Sequence, residues 1–209
     1  MARFADHTLS TFLDELASSK PTPGGGTAAA VGGAIGVALL MMVAGLPKTR
    51  GNTDAERVKL TEARASLVSI RDRILALADT DTDAYNQVTA AYRMAKSTDE
   101  EVAARKKAIQ RAMQGATDAP LDILRLVSEA MVQARCVAEY GNPSASSDVR
   151  VALELLEAAG AGAAANVEIN VTSLSDEAYK KTTVSKMMEL SNRLTEHSAA
   201  CRSALIPTP

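Results

Sequence analysis

From Gly24 to Leu46 the chain runs for 23 residues without a charged side chain. A helix of about 20 apolar residues is long enough to cross a bilayer and equally suited to the middle of a globular protein. The segment is rich in glycine and alanine rather than leucine, and Gly32 and Gly36 form a small-x-x-x-small pair that favours close helix approach. No second segment of this kind exists, and the later apolar stretches alternate with charged residues. The segment therefore reads as a central helix buried on all sides, and no membrane is expected. A membrane-anchored protein using Gly24 to Leu46 as its span is the competing reading, and it fails if the purified chain stays soluble without detergent.

Composition points the same way. Alanine accounts for 39 of the 209 residues, aromatics for 3%, and tryptophan is absent, which suits closely packed helices better than a sheet core. With 46% hydrophobic and 23% charged residues, one domain spanning 1–209 is expected, with a frayed tail over 203–209 that ends in Pro207-Thr208-Pro209. The net charge is -2 with no basic block, which disfavours nucleic acid as a partner. Cys136 and Cys201 lie far apart, outside any C-x-x-C pair and away from His7 and His197, so neither a disulfide framework nor a zinc site is expected. The first residues carry Asp6 and His7 and no apolar stretch with a cleavage site, so a cytoplasmic protein is expected.

Helical periodicity continues along the chain. Leu60, Ala63, Leu67, Ile70, Ile74 and Leu77 recur at spacings of three and four, with Arg64, Arg71, Asp72 and Arg73 between them. A polar connection follows at Lys96 to Glu101. Helical spacing then runs from Val102 to Thr117, and Pro120 falls where a kink or a new helix start is expected. The stretch Leu121 to Cys136 resumes the pattern, a turn is expected at Tyr140-Gly141-Asn142-Pro143, and Ser144, Ser146 and Ser147 are offered as caps for the next helix. A last helix is expected from about Ser175 to Leu205. The architecture reads as an all-α antiparallel helical bundle.

Polar residues on apolar stripes are the anomalies, because burying them without partners costs roughly 2–7 kcal/mol each. The stripe Ile70, Ile74, Leu77 continues to Asp81, Tyr85 and Val88, which turns Asp81 inward if the helix is unbroken. The alternative is a helix break at Asp79 to Asp83 with capping aspartates. Val149, Ala152, Leu156, Ala159, Ala163, Asn166 and Asn170 share one face, so two carboxamides end an apolar stripe. They act together on a ligand or are core asparagines bonded to a neighbouring helix. Asp148, at the start of the same helix, fits a first-turn acid facing the helix dipole. Pro21-Thr22-Pro23-Gly24-Gly25-Gly26-Thr27 precedes the apolar helix, where consecutive glycines either aim backbone N–H groups at an anion or form a plain turn.

Together these features resemble the cyclodeaminase/methenyltetrahydrofolate cyclohydrolase family. The resemblance runs from Phe12-Leu13-Asp14-Glu15-Leu16-Ala17-Ser18 through Pro21 to Gly26, Asp81-Thr82-Asp83-Ala84-Tyr85, Gly141-Asn142 with Ser147-Asp148, and Asn166-Val167-Glu168-Ile169-Asn170. Two departures stand out. Gly45-Leu46-Pro47-Lys48-Thr49-Arg50-Gly51 replaces the family's usual Asn-Leu and Gly-Lys-Lys, and Met94-Ala95-Lys96 stands where Leu-Pro-Lys is usual.

The resemblance implies a helical homodimer that binds a reduced folate and works without metal or redox cofactor. Asp81 and then Asp148 are the implied proton carriers, since a carboxylate shielded from water has a raised pKa suited to that task. Pro23, Gly24, Gly25, Gly26, Tyr85, Asn142, Ser147, Asn166 and Asn170 are implied substrate contacts, and Lys48 and Arg50 contacts to a folate glutamate tail. The expected reaction is hydrolysis of 5,10-methenyltetrahydrofolate to 10-formyltetrahydrofolate. Formiminotetrahydrofolate cyclodeamination with release of ammonia, and a diverged folate-binding module without turnover, are the alternatives.

Overall fold

In a computed structural model of the chain, which describes residues 3–205, a short 3-10 turn at Phe4–Asp6 precedes six α-helices. These are α1 (Leu9–Leu16), α2 (Gly25–Ala44), α3 (Asp54–Tyr92), α4 (Asp99–Tyr140), α5 (Ser146–Val171) and α6 (Glu177–Leu205), with a second 3-10 turn at Pro143–Ala145 before α5. Among the described residues there is no strand, so the all-α expectation holds. The frayed tail does not begin at 203: α6 runs to Leu205, which is buried, and residues 206–209 lie outside the described residues.

α2 packs against α3 and α5 and more lightly against α4, while α6 closes the bundle on α4 and α5. Val37, Leu40, Leu67, Ile74, Ile123, Leu124, Met131, Leu153 and Leu156 are fully enclosed. Each such side chain contributes about 1.5–3 kcal/mol by leaving water. α3 and α4 each begin with a capping box, Thr53 with Glu56 and Thr98 with Glu101, so two long helices start at defined points.

The glycines of α2 set its distance from α5. A Cβ on Gly36 would lie 3.0 Å from the Ala152 carbonyl oxygen and 3.2 Å from Leu155, and one on Gly33 would lie 3.2 Å from Val127 and 3.3 Å from Ala159. The close approach is thus made by Gly33 and Gly36. Gly32, expected to share it, faces open space with nothing within 4 Å. Nor is α2 enclosed all round: Ile35, Ala38 and Met42 form an exposed stripe, because α3, α4 and α5 cover only part of its circumference.

Two expected interruptions are absent. α3 continues unbroken through Asp79 to Asp83, since buried Ile70, Ile74 and Ala78 before the aspartates and buried Ala84 and Ala91 after them hold it against the core on both sides. α4 continues through Pro120 without a new start. A proline there removes the N–H that would serve the Ala116 carbonyl, and Asn170 Nδ2 of α5 donates to that oxygen at 2.7 Å. Nor do Ser144, Ser146 and Ser147 cap α5. Asn142 caps the 3-10 turn by accepting from the Ser144 N–H at 3.0 Å, and α5 follows directly with Ala145 at its N-cap.

Asn170→Ala is expected to cost about 1 kcal/mol in urea denaturation, the size of one lost hydrogen bond to a partly buried acceptor. In a Pro120→Ala background the helix supplies its own N–H to Ala116, and the same substitution is expected to cost close to nothing.

Candidate functional site

The amino terminus of α2 and the middle of α3 meet at one end of the bundle. Gly24 is the N-cap, and the Ala28 N–H makes the first bond back to the Gly24 carbonyl, so the N–H groups of Gly25, Gly26 and Thr27 have no acceptor within α2. Asp81 lies over this end. A Cβ on Gly26 would overlap its carboxylate, with Cγ only 2.7 Å away, so glycine is what lets the acid sit against the helix end.

Thr27 Oγ1 donates to Asp81 Oδ2 at 3.0 Å and lies 3.3 Å from Thr82 Oγ1. Because a hydroxyl has one proton, the Thr82 hydroxyl donates to Thr27 while Thr27 donates to the acid. Both threonines are buried. Burial pushes the Asp81 carboxyl above its ordinary range, and the Thr27 hydroxyl and backbone N–H only partly offset this. A raised pKa makes this carboxyl a better proton acceptor than an exposed carboxylate.

Asn166 stands beside the same end. Its Nδ2 would be 3.7 Å from a Cβ on Gly25 and donates to its own helix at the Gly162 carbonyl, 2.8 Å, which leaves the carbonyl Oδ1 as the free face of the amide. Tyr85, exposed, is one turn beyond Asp81 on α3, and the buried Pro23, joined to Thr22 by a cis peptide bond, precedes the glycines. Asp81, Pro23, the three glycines, Tyr85 and Asn166 are therefore brought together.

The other sequence-selected residues are elsewhere. Asp148 and Ser147 open α5, and Lys48 and Arg50 follow α2, all at the far end of the bundle, about 30 Å away along the 20 residues of α2. Arg50 is engaged there: its N–H donates to the Tyr140 carbonyl at 3.0 Å, and Nη2 reaches the carbonyls of Ala138 at 3.0 Å and Ala204 at 3.3 Å. It ties the α2–α3 loop to the ends of α4 and α6 rather than presenting a free cation. Asn170 is likewise engaged at Ala116, and Asn142 in its turn. Glu56 organises the Gly45–Thr53 loop, accepting from Thr49 Oγ1 at 2.7 Å and from the Gly51 N–H at 2.9 Å.

Beside the Asp81 end a cavity of 660 Å³ opens between the amino-terminal segment and α3, lined by Phe4, His7, Lys20, Pro23, Thr82 and Asp83 among others. Phe4 N–H donates to Asp79 Oδ1 at 2.9 Å, fixing the segment over α3, and His7 Nδ1 lies 3.4 Å from Glu15 Oε2. Apart from Pro23, sequence reasoning assigned no role to these residues or to the Thr27–Thr82 pair. Thr27 had a signal, as the sole polar side chain of α2; Phe4 and Lys20 had none.

The fold and this site define an all-helical protein with a carboxylate seated on a glycine-lined helix end. The formiminotransferase-cyclodeaminase family model matches residues 8–189, and the chain belongs to that family. It is 39% identical over 194 residues to a methenyltetrahydrofolate cyclohydrolase of Methylorubrum extorquens, covering 93% of this chain and 92% of that protein. It is 28% identical to the formimidoyltransferase-cyclodeaminase of Gallus gallus over 91% of this chain, but spans only 35% of that longer protein. The crystal structure of formiminotetrahydrofolate cyclodeaminase from Thermotoga maritima superposes with a TM-score of 0.86 at 27% identity, covering 96% of both chains.

Thr27→Val removes a donor that favours the charged carboxyl. The acid-side limb of the turnover–pH profile, already above the ordinary carboxylate range, is expected to move further up, and a limb unchanged or moved down would show that Asp81 does not set it.

Proposed function

We propose that the protein hydrolyses 5,10-methenyltetrahydrofolate to 10-formyltetrahydrofolate at the α2–α3 end, with Asp81 as proton carrier. The observation that carries this reading is a carboxyl with raised pKa, seated on a glycine-lined helix terminus, in a chain 39% identical to a methenyltetrahydrofolate cyclohydrolase along nearly its whole length.

Ionised Asp81 takes a proton from water as its oxygen bonds to the methenyl carbon between N5 and N10, giving a tetrahedral hydroxyl adduct. As the C–N5 bond breaks, Asp81 returns that proton to N5, and the adduct's hydroxyl proton leaves to solvent as the formyl C=O forms on N10. The balance is one water consumed and one proton released. The N–H groups of Gly25 and Gly26, without an acceptor in α2, are oriented donors for oxygen developing charge in the adduct, Asn166 Oδ1 faces N–H groups of the pterin, and Tyr85 offers it an aromatic face.

Neither metal nor redox cofactor enters this scheme, because proton transfer and addition of water complete the reaction. The reading takes the protein as a cytoplasmic homodimer, which the exposed apolar faces of α2 and α5 favour. Cyclodeamination is the second reading, favoured by the match to the Thermotoga maritima cyclodeaminase over 96% of both chains.

Loss of methenyltetrahydrofolate absorbance, corrected for spontaneous hydrolysis, tests the first reading beside an ammonia-release assay for the second. Asp81→Asn is expected to lower kcat by about 10²–10⁴-fold with little change in folate affinity. Ammonia release without hydrolysis would move the assignment to cyclodeaminase, and folate binding with neither product would mark a binding module.

A further inference from the structure

Several helical threonines of this chain turn their hydroxyls back on their own helix. Thr61, Thr80, Thr117, Thr182 and Thr195 each donate to the carbonyl four residues earlier, at 2.7 to 3.1 Å, an acceptor within reach of any threonine inside a helix. Thr82 has the Ala78 carbonyl at that same offset, two residues on from the Thr80–Ala76 bond. Its Oγ1 is instead turned across to α2 and lies 3.3 Å from Thr27 Oγ1. Thr82 is buried, and it stands where the wall of the 660 Å³ cavity meets the Asp81 end.

The direction matters because the two hydroxyls have one proton each. With Thr82 aimed at Thr27, the Thr82 O–H donates to Thr27 Oγ1, and the Thr27 O–H is left for Asp81 Oδ2 at 3.0 Å. With Thr82 turned back on Ala78, its proton would go to that carbonyl and its oxygen would compete with Asp81 for the Thr27 proton. The rotamer of Thr82 therefore decides where Thr27 points. A hydroxyl that accepts one bond also donates the next more strongly, by about 10–30%.

The hydroxyls act on Asp81 without interference from charge. Among the described residues, burial and the Thr27 groups account for the raised carboxyl pKa, and no charged neighbour contributes. α2 has no titratable side chain, and α5 brings the neutral Asn166. On α4, Asp118 is bonded to Tyr179 and Asp122 to Arg125. Asp79 and Asp83, next to Asp81 along α3, line the cavity with Arg3, His7, Glu15 and Lys20, whereas Asp81 faces α2.

We propose that Thr82 is a positioning residue, which by donating to Thr27 holds the Thr27 hydroxyl on Asp81 and so sets the acid for its exchange of a proton. Its effect passes through Thr27 alone. The consequence for turnover rests on the reading that Asp81 is the proton carrier.

The acid can be read directly. In full-length protein labelled with carbon-13 at aspartate, the Asp81 carboxyl signal, assigned by its absence in Asp81→Asn, is titrated beside the acid-side limb of the turnover–pH profile. Thr82→Val, which keeps the shape, and Thr82→Ala both remove the donor, so Thr27 holds the charged form less well. The titration is expected to move up by roughly a third or less of the rise seen with Thr27→Val. Thr82→Ser, which keeps the hydroxyl, is expected to restore the wild-type position. In a Thr27→Val background, Thr82→Val is expected to add no further shift. A purely structural role would lower stability and leave the titration in place. An unmoved or lowered titration on losing the Thr82 hydroxyl, or a further rise in the double variant, overturns the proposal. If the carboxyl titration moves as expected while the turnover limb stays put, the positioning stands and the reading of Asp81 as proton carrier fails.

Discussion

The distance between α2 and α5 governs everything built on it, and that distance exists because Gly33 and Gly36 carry no side chains. A methyl group at position 36 would meet a backbone carbonyl, which cannot move aside as a rotamer can. Held this close, the two helices set Asn166 beside Gly25 and present the end of α2 to α3 at the height of Asp81. The long α3 and α4 then act as rails, their starting points fixed by capping boxes at Thr53 and Thr98.

The site is built against the stability of the fold. A carboxyl whose folded pKa is raised stabilises the protein when protonated, and that contribution is lost as pH rises through the raised value. Above that value Asp81 is held in place by the rest of the bundle rather than helping to hold it. The Thr27 hydroxyl and backbone N–H limit the cost without removing it, which leaves the group more basic than an exposed carboxylate. This trade between stability and chemistry is usual where a structure does work on a ligand.

Much of the fold could be read from the sequence, because its helices carry long, regular apolar stripes. The turn at Gly141 to Pro143 and the span of α6 were legible to within two residues, and Asp81 stood out because three- and four-residue spacing placed an acid on a core stripe. Asn170 and Arg50 show the limit. Each has the chemistry of a ligand contact, but each satisfies a backbone carbonyl on another helix, and such long-range needs leave no local trace. Pro120 read as a kink or a new helix start for the same reason: the amide that satisfies the freed Ala116 carbonyl is contributed by α5. Thr27 carried a trace as the sole polar side chain of α2, whereas buried Thr82 was hidden because it looks ordinary until α3 meets α2.

The bond between Asn170 and the Ala116 carbonyl also orders the routes by which this sequence can drift. While proline stands at position 120, position 170 is bound to supply a donor, and losing it strands a carbonyl oxygen. If position 120 first gains a residue with its own N–H, position 170 is released and becomes free to take up another role near the end of α5. The two positions are thus open to change in one order and closed in the other, an asymmetry that a descriptive contact map would not reveal.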